Sequence, residues 1–167
     1  MRKKVENKPK HSAEIKSMSD EKLIQLRAAL EVEMRKRGLG FSVGQIGESL
    51  VIEHFKRTLG LPKLLRSPIG TKNVDALSRN GERYSIKTVW NAKKTGTIYP
   101  DPVNKEKQLF EFILIVQLND NLKLKSIHQF SWNEFVEVRS WDSRMNAWYV
   151  GCSTKNFNKG KNIQVKS

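Results

Sequence analysis

The sequence predicts one α+β (α/β) domain: a mixed sheet of about four or five strands, flanked by helices and led by two of them. Three stretches carry that expectation. Ser42-Val43-Gly44-Gln45 opens an amphipathic helix, two short apolar-rich runs flank the hairpin signal Asn80-Gly81, and Phe110 to Leu118 is the most apolar run in the chain. At 167 residues the chain can bury a core without disulfides or structural metal.

Residues 1–17 are polar, basic and aperiodic, and are read as a flexible N-terminal segment. Ser19 is an N-cap, Asp20 and Glu21 sit in the first turn, and Leu23, Leu26, Leu30 and Met34 form one helical stripe that Gly38 ends. Residues 18–40 are therefore an extra N-terminal helix suited to packing or to a homodimer contact. The second helix runs to about Thr58. Val51, Ile52, Phe55 and Leu59 share a stripe with Glu48. A carboxylate on a core-facing stripe costs on the order of several kcal/mol unless it is paired, with Arg57 or a neighbour, or bound to metal. His54 on that helix has no partner at metal spacing and reads as a core-edge histidine.

Leu61 to Ser67, punctuated by Pro62 and Pro68, is a short edge strand leading into the hairpin of Asn73 to Thr88. Ser85 and Lys87 lie two apart and leave a strand from one face. Loop length decides whether Asp75 joins them. A two-residue Asn80-Gly81 loop would set Asp75 opposite Ile86, facing away, whereas a three-residue loop Arg79-Asn80-Gly81 sets it opposite Ser85 with Lys87 diagonal. Ser78 suits the first position of a type I turn and Gly81 the left-handed fourth, which selects the longer loop.

Asp75, Ser85 and Lys87 resemble the Asp...(Asp/Glu)-x-Lys signature of the PD-(D/E)xK, restriction-endonuclease-like nucleases, and Glu48 in Gly44-Gln-Ile-Gly-Glu48 matches the acid of their upstream helix. The resemblance spans about Phe41 to Phe130, within a core of residues 41–152. It implies magnesium-dependent hydrolysis of DNA phosphodiesters, with Mn2+ able to substitute. Glu48, Asp75 and the Ile86 main-chain carbonyl would hold the ion, and Lys87 would orient or deprotonate the attacking water. Ser85 stands where the family has a second acid. The Mrr-like restriction nucleases carry a neutral glutamine there, so either Glu48 makes good the lost charge or the site is inactive. Restriction or defence is the role that analogy suggests.

Net charge of +14 and a pI near 10.0 point to a polyanionic partner, with nucleic acid far ahead of a membrane, and the resemblance implies that it is DNA, double-stranded. Twelve Lys/Arg stand against four Asp/Glu between Lys56 and Lys107. Arg66 and Lys72 are placed to reach phosphates. The loop 91–107, with Trp90, Lys93, Lys94 and Tyr99, combines cations with aromatics as strand or base contacts require, or else covers the sheet edge. Ser131-Trp132-Asn133-Glu134 starts a further helix, Ala147 to Cys152 is a last strand, and residues 153–167 form a basic tail. The single Cys152 suits a reducing cytoplasm, and no apolar run is long enough to span a bilayer. Two other functions fit the same chain: a nuclease fold that only binds DNA, and a protein-interaction subunit or inhibitor working through the helix at 19–37.

Overall fold

The computed structural model describes residues 11–68 and 70–165. Its helices are α1 (Ser12–Lys16), α2 (Asp20–Lys36), α3 (Val43–Arg57), α4 (Trp132–Val138) and α5 (Thr154–Phe157). Its strands are β1 (Leu64–Arg66), β2 (Ala76–Ser78), β3 (Arg83–Val89), β4 (Phe112–Leu118), β5 (Leu124–Ser131), β6 (Arg139–Asp142), β7 (Ala147–Val150) and β8 (Lys161–Ile163). The main sheet has six strands in the order β1-β2-β3-β4-β5-β8, and β6 and β7 form a separate ribbon. Only β3 and β4 pair in parallel within the main sheet, so it is mixed, as expected, but larger than expected.

Both faces of the sheet are covered. Tyr84 and Ile86 of β3 pack with Val51 and Phe55 of α3, while Val89, Ile113, Ile115 and Phe130 pack on the other face with Ile98, Phe135 and Val150. The continuous apolar run of β4 follows from burial on both sides. Helix α3 starts with the reciprocal Ser42/Gln45 capping box. It crosses β3 so closely that a Cβ at Gly47 would lie 2.0 Å from Thr88 Oγ1, which only glycine allows. That close crossing fixes how Glu48, the next residue, stands to the strand.

The structure corrects four sequence-based expectations. Ser12–Lys16 form a short helix inside the segment read as aperiodic, and residues 1–10 lie outside the described part. Helix α2 begins at its Ser19 cap but fully buries no residue among the described ones: Leu23, Leu26 and Met34 of its stripe are half-buried and Leu30 is exposed. Leu59 lies past the end of α3 and is 95% exposed, because the helix stops at Arg57 before the stripe reaches it. The described part of the expected tail, residues 153–165, is structured, and residues 166–167 lie outside the described part. Residues 153–165 supply α5 and β8, which pairs with β5 at the far edge of the sheet and buries Ile163. The core therefore runs past residue 152.

Candidate active site

The β2–β3 turn has the longer loop. The Gly81 amide donates to the Ser78 carbonyl at 3.0 Å, the Ser78 amide to the Glu82 carbonyl at 2.9 Å, and Gly81 adopts φ +82. Ala76 pairs with Tyr84 and Leu77 with Arg83, the register that continues to Asp75 opposite Ser85. The regular ladder stops at Ala76, however. Beyond it the Asp75 amide donates to the Tyr84 carbonyl at 2.8 Å, and the Ser67 amide to the Asp75 carbonyl at 3.0 Å. The β3 edge past this point is taken up by a side chain: Asp75 Oδ2 accepts from the Ile86 amide at 2.6 Å and from Ser85 Oγ at 3.3 Å. Within an extended strand the N–H and C=O of one residue leave by the same edge, so the Ile86 carbonyl faces the notch that Asp75 occupies.

Three further groups lie around this notch, on different sides of β3. Lys87 leaves β3 from the face of Ser85, and Ser85 itself is completely buried. Arg66, at the end of β1, bridges α3: Nη1 is 3.3 Å from Glu48 Oε2 and Nη2 donates to Ser49 Oγ at 2.8 Å. Burial, reinforced by the charge of Asp75, pushes the Glu48 carboxyl above its ordinary value, against the opposing pull of Arg66 and Lys87. Glu48 thus feels both the acid and the amine of the hairpin. No group of three or more His, Cys, Asp or Glu side chains able to hold a metal forms among the described residues. The oxygen donors at the notch itself are the Asp75 carboxylate, the Ser85 hydroxyl and the Ile86 carbonyl, and Glu48 stands near enough to feel the charge of Asp75.

The remaining predicted contacts divide. Arg66 is drawn into the site as the partner of Glu48. Lys72 and Tyr99 line one cleft. Lys94 is held elsewhere, 3.2 Å from Asp142 Oδ2 and 4.5 Å above the Tyr149 ring, and the carbonyl of exposed Lys93 accepts from the Cys152 amide. Thr95 and Ile98 are buried and bridge to the β6–β7 ribbon, so this part of the loop is an ordered cover. Sequence reasoning missed Ser49 and Asn73. Nothing local marks Ser49, but Asn73 carried a faint signal, since asparagine is enriched at positive φ and here adopts +59. His54 packs beside Phe55, as its isolation in the sequence implied.

The chain matches no protein-family model, and no curated protein matches it.

Proposed function

We propose that this protein is a metal-dependent DNA endonuclease of the restriction-endonuclease-like type. The observation that supports the reading is the Asp75 carboxylate held by Ser85 and the Ile86 amide where the β2–β3 ladder breaks off, with Glu48 near enough to feel the charges of Asp75 and Lys87. Glu48, Asp75 and the Ile86 carbonyl are the groups that would hold Mg2+ or Mn2+. They are hard oxygen donors, too few to displace all the water from such an ion, which suits magnesium. When bound, the ion supplies charge stabilisation for a phosphodiester under attack. Lys87 holds or takes the proton of the attacking water and steadies a phosphate oxygen. Ser85 donates to Asp75 and keeps that carboxylate oriented. The +14 net charge supports a nucleic acid as substrate.

One observation favours binding without cleavage: the Arg66 guanidinium already serves Glu48 as a counter-ion. Incubation of supercoiled plasmid with Mg2+ or Mn2+, with and without EDTA, separates the two. Nicked or linear product that EDTA abolishes supports the enzyme. Intact plasmid in every arm, with salt-sensitive DNA binding, supports the binding protein.

A further inference from the structure

A cleft of about 760 Å3 is lined by Lys72, Asn73, Val74, Arg83, Tyr99 and Lys107, among others, and so begins one residue before Asp75. The segment of Lys72 to Val74 makes one wall and the loop from Tyr99 to Leu109 the other. Asn73 ties them together: its Nδ2 donates to the Tyr99 carbonyl at 3.2 Å from a backbone held at φ +59. Most charges in the cleft are already matched. Arg83 is fixed by Glu111 at 2.7 and 3.0 Å, Lys107 lies 3.1 Å from Asp101, and Asp101 also accepts from the amides of Val103 and Asn104 at 3.0 Å. Lys72 is exposed and makes no ion pair among the described residues. Tyr99, although in a cleft, keeps half its surface open.

An accessible ring and an unmatched amine within one cavity suit a single nucleotide, its base against the ring and its phosphate at the amine. A base inside a duplex has both faces stacked, so it reaches Tyr99 only when it is unpaired or extruded. We propose that this cleft is a subsite for an unpaired nucleotide flanking the phosphate at Asp75. The substrate is then DNA with a single-stranded or extruded base beside the cleavage point. This proposal rests on the nuclease reading for its substrate, but its test does not require cleavage.

Fluorescence anisotropy in EDTA, with a labelled oligothymidylate of about ten nucleotides and a labelled duplex of the same length, provides that test. Tyr99→Ala should weaken oligothymidylate binding about 10- to 100-fold and leave duplex binding within about 2-fold, while Tyr99→Phe keeps wild-type affinity because the ring remains. Lys72→Ala should flatten the salt dependence of oligothymidylate binding by roughly the slope of one phosphate contact. Unchanged oligothymidylate affinity in Tyr99→Ala overturns the subsite, and so does an equal loss on both probes, which would mark Tyr99 as a support of the loop. If no substrate is cleaved yet Tyr99→Ala loses oligothymidylate selectively, the nuclease reading falls and the subsite stands.

Discussion

Asp75 Oδ2 accepts the Ile86 amide at 2.6 Å, and Ile86 is only 4% exposed. A carboxylate side chain thus completes the edge of β3 where the backbone of β2 no longer can. The same oxygen also receives the Ser85 hydroxyl, so the proposed metal ligand is a structural group as well.

Two substitutions separate those roles. Asp75→Ala strands a buried N–H and should cost about 1–3 kcal/mol in urea denaturation, whereas Asp75→Asn keeps an acceptor and should cost less. Both should abolish metal-dependent cleavage. Lys87→Ala should leave stability and duplex binding nearly unchanged and lower the cleavage rate by about 10² to 10⁴-fold. A Lys87→Ala protein that cleaves at the wild-type rate removes the lysine from the mechanism.

The hairpin was legible because its determinants are local. Ser78 Oγ accepts from the amides of both Asn80 and Glu82 at 3.2 Å, and the backbone of Gly81 accepts a positive φ, so residues adjacent in sequence set the hairpin register as far as Ala76. Capping boxes at Ser42 and Ser131 were legible for the same reason. The Glu48–Arg66 pair was not. It joins residues 18 apart and depends on how β1 lies along α3. Lys94 likewise depends on the placement of the β6–β7 ribbon, which no nearby residue dictates.

The C-terminal strand was illegible because it has almost no apolar pattern of its own. Ile163 is its only buried residue, and β8 exists because β5 offers an edge: Ile127 pairs with Ile163 and Gln129 with Lys161. Ile163→Ala should therefore cost about 2–5 kcal/mol, read as a lower urea midpoint at constant slope. Lys155→Ala, at an exposed position of α5, serves as the control and should stay within about 0.5 kcal/mol. Equal midpoints for the two variants would return residues 153–167 to the status of a tail.

The Glu48 carboxyl is raised by burial first and by Asp75 second, which gives two pH effects. Without metal, an acid whose folded value lies above its unfolded one stabilises the fold at low pH, and that contribution is lost as pH rises through the raised value. Glu48→Gln has no such loss. Its stability relative to wild type should rise across that window and then level off, as urea midpoints measured from about pH 4 upward would record. Protons also compete with a cation for Glu48, so half-maximal activation should need less Mg2+ as pH rises through the same window. A magnesium requirement flat across it would place Glu48 outside the metal site.

Ser85 decides between an enzyme and a binding protein, and its complete burial sharpens the test. A glutamate there must bring a charge into a space that now holds one hydroxyl beside Asp75, so without metal Ser85→Glu should unfold at lower temperature than wild type. A cation held between the added acid, Asp75 and Glu48 would offset that penalty. Magnesium should thus raise the melting temperature of Ser85→Glu more than that of wild type. Ligand at about 100 times its dissociation constant is worth about 2.7 kcal/mol, which is well within reach of a thermal scan. The variant should also reach its half-maximal cleavage rate at lower magnesium. If magnesium and manganese shift neither protein's melting temperature, and both proteins are inert on duplex, branched and single-stranded DNA, the notch holds no catalytic metal and binding alone is the function.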